Sequence, residues 1–204
     1  MPKIVLRYFD VRGLGEAIRT LLAYGGEDFE DIRYTEVDWP NVLSSTPFNQ
    51  LPTLEIDGKV YAQSNAIARY LGHKYGLAGD SMEESLEIDQ NVDYFTDLRS
   101  SAIQVHYEED PEVKKKLQNK CFKETAPAML KKLNDIISRN NGHIALGKLT
   151  WGDFVFAGVF DYLKLMLELP ELEKQYPSFQ KVIDSVYSVP KVKAFSDLAP
   201  KTDV

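Results

Sequence analysis

Gln63 and Ser64 are of residue types that could bind a ligand, and they stand at the start of a helical pattern. Ser64 is predicted to cap that helix, and the free amide groups at a helix start can hold a carboxylate or a phosphate. Gln63 is a second donor beside them. Leu51-Pro52 enters the same region, and because proline cannot donate to a sheet ladder, the Leu51 backbone is predicted to be available to an extended ligand. An ordinary hairpin with a capped helix behind it is the alternative.

Tyr8 ends the first predicted strand, immediately before a loop and a helix start. Ligands of open α/β sheets bind at the carboxyl ends of strands, so the Tyr8 hydroxyl is a candidate hydrogen-bond donor to a bound anion. That hydrogen bond and the field of the following helix would both stabilise a thiolate. The single cysteine, Cys121, lies in the other half of the chain, so the thiol would have to belong to a bound substrate. Simple packing is the alternative role for Tyr8.

The first 75 or so residues are predicted to form the elements that position these side chains. A strand, a helix and a second strand make a right-handed βαβ unit, and Asp57-Gly58 favours a tight hairpin after it. The result is a mixed sheet. The predicted strands are 4–8, 29–37, 53–56 and 59–62, and the predicted helices are 14–24 and 64–75.

Beyond a linker near residues 75–82 the pattern is helical, with long helices predicted over 82–107 and 111–139. A further helix start is specified by Thr150 and Asp153, which can cap each other's amide groups in a capping box. Leu149 and Phe154 can close over that box as a hydrophobic staple. We interpret this motif as structural, marking where a buried helix begins.

Composition narrows the expected partners. The 204 residues include 24 lysines and arginines against 31 acidic residues, a net charge of −7, so nucleic acid is not an expected partner. One cysteine excludes an internal disulfide framework, and His73, His106 and His143 have no metal-ligand spacing, so no metal is expected. No signal-peptide pattern or membrane-spanning apolar run is visible, and we expect a cytoplasmic protein without a membrane partner.

Five motifs stand in a distinctive order along this chain: Tyr8-Phe9, Trp39-Pro40, the segment 46–52, Gln63-Ser64 and the capping-box segment 150–154. Together they resemble one family, the glutathione transferases, and most closely their sigma class in its invertebrate form, which is related to glutathione-dependent prostaglandin D synthase. The resemblance covers essentially the whole chain.

This resemblance implies an α/β plus all-α architecture. Residues 1–76 would form a thioredoxin-like domain of order β-α-β-α-β-β-α with a mixed four-stranded sheet, and residues 82–204 an all-helical domain that carries the electrophile pocket. The family also implies a homodimer and glutathione as co-substrate.

The resemblance also implies a role for each residue of the glutathione site. Tyr8 would be the catalytic residue. The cysteinyl backbone would pair with Leu51 beside a cis Pro52, and Gln63 with Ser64 would hold the γ-glutamyl carboxylate. The remaining implied contacts are Trp39 and Gln50 at the glycyl end and Asp97, from the partner subunit, at the γ-glutamyl amine.

The implied second-substrate pocket lies at the domain boundary, and ordinary packing is the alternative role for each of its residues. The predicted lining residues are Phe9, Val11, Gly13, Leu14, Arg99, Tyr107, Val155 and Val159.

Five further positions are singled out by the sequence. Phe48 is predicted either to anchor the dimer interface or to be buried within its own domain. Asp89, Asp93 and Asp97 share one helical face, which could be a wet surface, a dimer contact or a weak divalent-ion site. Leu43 stands where many sigma-class sequences carry lysine, so we expect weaker glutathione affinity.

The predicted activity is conjugation of glutathione to small-molecule electrophiles, with peroxide reduction and prostaglandin isomerisation as further activities of the class. The alternative is a non-catalytic ligand carrier or a crystallin-like structural protein. Such crystallins usually carry a long insertion between the first two helices of the second domain, and none is visible between Met82 and Arg139.

Overall fold

The computed structural model describes residues 2–202, so the ends of the two predicted domains, Met1 and Asp203-Val204, lie outside the described residues. Its sheet has four strands in the order β2-β1-β3-β4, with β1 and β2 parallel and the other two pairs antiparallel. The predicted mixed sheet is therefore confirmed. The strands are β1 Ile4–Phe9, β2 Glu30–Tyr34, β3 Thr53–Ile56 and β4 Lys59–Ala62.

The predicted hairpin turn is also confirmed. Asp57 and Gly58 both have positive φ, 50° and 84°, as a two-residue turn between β3 and β4 requires. Pairing begins directly on either side of the turn, with Ile56 opposite Lys59.

Helices make up most of the remaining described residues. The α-helices are α1 Gly13–Gly25, α2 Trp39–Val42, α3 Ser64–Lys74, α4 Met82–Tyr107, α5 Pro111–Lys120, α6 Ala126–Arg139, α7 Trp151–Leu167, α8 Leu172–Gln175, α9 Pro177–Tyr187 and α10 Pro190–Leu198.

The helix predicted over 111–139 is not one regular α-helix. A π-helical turn at Cys121–Thr125 separates α5 from α6. Pro127 lies in the first turn of α6, and proline offers no N–H to bond the carbonyl four residues earlier. The wider turn is where the hydrogen-bond ladder adjusts to that missing donor.

Helix α7 lies at the centre of the core, and its capping box forms as predicted. The fully buried Asp153 carboxylate accepts hydrogen bonds from the Thr150 amide and the Thr150 hydroxyl, both at 2.8 Å. The same carboxylate accepts the Ile144 amide at 3.0 Å and lies 3.2 Å from Nδ1 of His143. Among residues 2–202, no helix is long and apolar enough to cross a membrane.

Candidate active site

Sheet topology brings the predicted ligand-binding residues to one edge. β1 runs toward this edge and ends at Phe9, whereas the antiparallel β3 starts there at Thr53. β4 returns to the same edge and ends at Ala62, paired with Thr53. Tyr8, the Leu51-Pro52 bond just before β3, and Gln63 just after β4 therefore lie together, although they are far apart in the chain.

Tyr8 is nearly enclosed, with 8% of its surface exposed. Its hydroxyl oxygen accepts a hydrogen bond from the Leu14 amide at 3.1 Å, which leaves the hydroxyl hydrogen free to be donated elsewhere. Burial raises the pKa of Tyr8, while the Leu14 amide and the positive charges of Arg19 and Arg99 oppose that rise. The side chain is therefore a neutral hydrogen-bond donor at physiological pH and not a tyrosinate.

Two glycines allow Tyr8 to sit against the start of α1. A Cβ at Gly13 would lie 2.8 Å from the Tyr8 hydroxyl oxygen, and Gly13 also has φ +36°. A Cβ at Gly15 would lie 2.5 Å from Cδ1 of the same ring, closer than real Cβ contacts allow. The Gly13-Leu14-Gly15 sequence is therefore what lets the Leu14 amide reach the tyrosine oxygen.

The structure corrects one detail of the α3 start. Gln63, with φ 74°, is the residue before the helix, and Ser64 is the first helical residue and not its cap. The positive φ turns the chain directly from β4 into α3, so the helix begins without a side-chain cap. Ser64 is half-buried and Gln63 is exposed, and both stay at the sheet edge.

The loop before β3 meets the α3 start through two amide side chains. Nε2 of Gln63 donates to Oε1 of Gln50 at 2.9 Å. The Gln50 backbone amide bonds to the Thr46 hydroxyl at 3.0 Å, which holds the loop in place. The Leu51-Pro52 peptide bond is cis, as the family resemblance implied, and Leu51 lies outside the strand ladder.

Trp39 closes the other side of this edge. Its ring packs edge-on against Phe9 with a centroid distance of 5.4 Å. The short helix α2 that carries Trp39 follows a loop in which the Asp38 carboxylate accepts the Thr35 amide at 2.9 Å. These contacts place an indole, with its N–H donor, next to the strand that carries Tyr8.

A cleft of about 810 Å³ opens in front of Tyr8, between the sheet edge and helices α4 and α7. Of the predicted second-substrate residues, Phe9, Val11, Gly13 and Tyr107 line it. The other lining residues are Tyr8, Asp10, Tyr34, Thr35, Glu36, Trp39, His106, Tyr162, Leu165 and Met166.

The remaining predicted pocket residues lie elsewhere. Val155 and Val159 are 4% and 1% exposed and belong to the hydrophobic core, because this half of α7 is covered on all sides. Leu14 packs against the same core. Arg99 is not among the lining residues; burial lowers its pKa, and its Nε has no hydrogen-bond partner among residues 2–202.

Sequence reasoning missed the α7 residues that line the cleft, Tyr162, Leu165 and Met166. Tyr162 and Met166 continue the stripe of Val155 and Val159 at helical spacing, so that periodicity was an available signal. The Tyr162 hydroxyl lies 3.1 Å from the Tyr107 hydroxyl, and burial together with that contact raises the pKa of Tyr162. This wall of the cleft therefore combines apolar surface with two hydroxyl groups.

Phe48, Leu43 and the three aspartates on α4 do not line this cleft. Phe48 is 62% exposed, which excludes burial within its own domain. Asp89 pairs with Arg69 at 2.8 Å, while Asp93 and Asp97 are exposed. Within residues 2–202, no three histidine, cysteine or acidic side chains are grouped so that they could hold a metal ion. Leu43 begins a 3₁₀ turn directly after α2.

Comparison with known proteins gives consistent matches over both halves of the chain. The glutathione S-transferase N-terminal domain model matches residues 4–73, and the C-terminal domain model matches residues 96–197. The chain is 54% identical to glutathione S-transferase 2 of Manduca sexta, with all of both chains covered. It is 33% identical to hematopoietic prostaglandin D synthase of Gallus gallus, again over the full length of both. The structure of prostaglandin synthase D of Nilaparvata lugens matches with a TM-score of 0.91 at 41% identity, covering 98% of this chain and 100% of that one.

Proposed function

Because this chain belongs to the glutathione S-transferase family and shares its catalytic function, we propose that Tyr8 activates the thiol of bound glutathione. The observation that carries the proposal is the hydrogen bond from the Leu14 amide to the Tyr8 oxygen at 3.1 Å. That bond occupies the acceptor side of the hydroxyl and leaves its hydrogen for the thiolate. A hydroxyl polarised in this way is also a stronger donor, because chained hydrogen bonds reinforce each other.

The required energy is modest. A free thiol has a pKa of about 8.5, so only a few per cent is ionised at neutral pH. Stabilising the thiolate by about 2 kcal/mol would lower that pKa by roughly 1.5, to about 7, so that about half of the thiol is ionised at neutral pH. A hydrogen bond to a charged group contributes about 1.5 to 3 kcal/mol, so one well-placed hydroxyl is sufficient.

We propose that the rest of the sheet edge holds the tripeptide. The γ-glutamyl carboxylate would bind Gln63 and Ser64 at the amino terminus of α3, where backbone amides and the helix dipole favour an anion. The cysteinyl backbone would pair with Leu51 beside the cis Pro52. Trp39 and Gln50 would contact the glycyl end, without the lysine that many sigma-class sequences carry at position 43.

The second substrate would occupy the cleft in front of Tyr8. Its apolar wall suits a hydrophobic electrophile, and the paired hydroxyls of Tyr107 and Tyr162 suit a polar group on that molecule, such as a carbonyl or a peroxide. The thiolate forms a bond to the electrophilic carbon: with a chloronitrobenzene chloride leaves, and with an unsaturated aldehyde the carbon–carbon π bond breaks and the adjacent carbon takes a proton from water. Prostaglandin isomerisation is the second candidate activity, favoured by the two similar proteins named as prostaglandin D synthases.

We further propose the remaining assignments of the family to this chain. Residues 1–76 would be the glutathione-binding domain and residues 82–204 the domain with the electrophile pocket. Two copies would form a homodimer in the cytoplasm, with the exposed Phe48 as an interface anchor and with Asp97 of the partner subunit at the γ-glutamyl amine. Light scattering of the wild type and of Phe48→Ala at low concentration tests the anchor.

Turnover of the purified protein tests the proposal directly. The substrates are glutathione with a chloronitrobenzene, an unsaturated aldehyde, a lipid hydroperoxide and a prostaglandin endoperoxide. Tyr8→Phe is run beside the wild type, and we expect a large loss of kcat at neutral pH with glutathione affinity nearly intact. Equal turnover by Tyr8→Phe would contradict the role of Tyr8, and glutathione binding without turnover of any substrate would favour the non-catalytic carrier.

A further inference from the structure

Arg19 of α1 is a fully buried arginine directed at the loop that carries the active-site residues, with 0% of its surface exposed. Its Nη1 donates to the carbonyl of Val11 at 2.8 Å and lies 3.5 Å from that of Arg12. Its Nη2 donates to the carbonyl of Phe9 at 3.3 Å. One side chain therefore holds three carbonyls of the segment between Tyr8 and the start of α1.

The Asp31 carboxylate on β2 orients this guanidinium. Nε of Arg19 lies 3.0 Å and 3.2 Å from the two carboxylate oxygens of Asp31, so both oxygens restrain it. Glu16 lies 3.5 Å from Nη1 on the other side. Asp31 and Glu16 therefore fix the orientation of the guanidinium as well as pairing with its charge, so that its hydrogen bonds to the loop carbonyls have a defined geometry.

The same guanidinium also contacts the catalytic side chain. Its central carbon lies 5.8 Å from the centre of the Tyr8 ring, within the range of a cation–π contact. The held carbonyls lie between Tyr8 and Leu14, the two residues whose hydrogen bond prepares the hydroxyl. Among residues 2–202, Arg99 and Tyr107 of α4 and Tyr162 of α7 are the other charged or titratable groups that interact with Tyr8.

We propose that Arg19 is a positioning residue for thiol activation, holding the loop carbonyls so that the Leu14 amide stays bonded to the Tyr8 hydroxyl. This inference rests on the proposed role of Tyr8. A planar guanidinium can reach three carbonyls and a carboxylate at once, whereas a lysine ammonium cannot. Without the guanidinium the buried carbonyls lose their donors, and the loop shifts to satisfy them.

The experiment titrates the thiol of bound glutathione by its thiolate absorbance in the wild type, Arg19→Met and Arg19→Lys. In both variants we expect the thiol pKa to rise by about one, which lowers kcat/KM about tenfold at a pH below that pKa. The KM for glutathione should change less than about threefold, since the residues proposed to bind the tripeptide are intact. A purely structural arginine would lower stability without moving the thiol pKa.

Arg33→Met is the matched control, because Arg33 pairs with the same Asp31 oxygen at 2.8 Å but otherwise bonds the Asp10 carboxylate and not the loop carbonyls. It should leave the thiol pKa unchanged. If neither Arg19 variant folds, Asp31→Asn, which removes the orienting carboxylate but keeps Arg19, decides in the same way.

Two results would overturn the inference. One is a thiol pKa equal to that of the wild type in the folded Arg19 variants, or in Asp31→Asn if neither Arg19 variant folds. The other is full restoration by Arg19→Lys of what Arg19→Met loses, which would mean that charge alone suffices. Tyr8→Phe is titrated in parallel: if it raises the thiol pKa while the Arg19 variants do not, only this inference fails. If Tyr8→Phe has no effect, the proposed function itself fails.

Discussion

The two sides of the active-site cleft are built differently. On the sheet side, Tyr8 is 8% exposed and is held by a main-chain amide and by close contact with two glycines. On the helical side, Tyr107 is 64% exposed and its hydroxyl contacts another side chain, Tyr162. The sheet side allows little displacement, whereas the helical side is made of side chains that can adopt other rotamers.

This difference separates two tasks of the enzyme. Thiol activation as we propose it for Tyr8 needs one hydroxyl at one distance, and the backbone supplies that constraint. Acceptance of different electrophiles needs a surface that adapts, and exposed aromatic side chains provide one. We therefore expect substitutions on the sheet side to affect all substrates alike and substitutions on the helical side to affect them unequally.

The largest expected effect comes from adding one methyl group to the sheet side. In Gly15→Ala the new Cβ would lie 2.5 Å from the Tyr8 ring, so the ring must move. Displacement of a catalytic group by about 1 Å can lower rates about 100-fold, and we expect a loss of that size in kcat/KM for every electrophile.

Gly25→Ala is the matched control for that variant. Gly25 lies on the same helix, and its new Cβ would meet a different tyrosine ring, Tyr75, at 2.4 Å. Stability should fall in both variants, but only Gly15→Ala should lose turnover in the folded state. Equal turnover losses in the two folded variants would contradict the idea that turnover depends on the position of the Tyr8 ring.

Removing the side-chain amide of Gln63 at the start of α3 should weaken glutathione binding without changing the chemical step. A lost hydrogen bond to a charged carboxylate costs about 1.5 to 3 kcal/mol, so we expect the KM for glutathione of Gln63→Ala to rise at least about tenfold. Its kcat at saturating glutathione should be retained, because the bond is the same in ground and transition states. Steady-state kinetics measure both constants, and Gln180→Ala, at an exposed position on α9, is the control that should change neither. A change in the kcat of Gln63→Ala without a change in its KM would contradict this prediction.

A change on the helical side should have a smaller and selective effect. Tyr162→Phe removes one hydroxyl of the pair, and the loss of a neutral hydrogen bond of about 1 kcal/mol corresponds to roughly fivefold in kcat/KM. That loss should appear with the unsaturated aldehyde and the lipid hydroperoxide and be absent with benzyl chloride, added to the panel because it carries no carbonyl, peroxide or nitro group. A uniform loss across the substrate panel would argue against the proposed division of tasks.

Features of the structure that depend on residues close together in the sequence were the ones that could be predicted. The Asp57-Gly58 turn and the Thr150-Asp153 box depend on neighbouring residues, and the structure confirms both. Tyr8 was singled out because strand ends are common ligand sites. Ser64 as a helix cap was wrong, because a single positive φ at Gln63 shifted the helix start, and residue types do not reveal that.

The helical side was less predictable, because it depends on packing between distant elements. The stripe on α7 is visible in the sequence, but whether Val155 or Tyr162 faces the cleft depends on how much of α7 the core covers. Arg19 likewise reads only as an arginine on the first helix. Its contacts with three loop carbonyls follow from how α1 lies on the sheet.

The smallest expected effect concerns stability and neither side of the cleft. The hydrogen bond to buried Asp153 raises the pKa of His143 above its usual value of about 6.5. The contribution of this hydrogen bond to the free energy of unfolding is therefore complete below about pH 6.5, and it is lost as the pH rises through the pKa of His143 in the folded state. Urea unfolding should show that His143→Gln loses more stability at about pH 5.5 than at about pH 9, with an unchanged thiol pKa. The same loss at both pH values would contradict this.

The most direct test is the ultraviolet titration of the glutathione thiol bound to the wild type, Tyr8→Phe and Tyr162→Phe. We predict a thiol pKa roughly 1.5 below the free value of about 8.5 in the wild type and in Tyr162→Phe. In Tyr8→Phe it should return close to the free value, because the donated hydrogen bond is gone. A thiol pKa in Tyr8→Phe equal to that of the wild type would contradict activation by Tyr8.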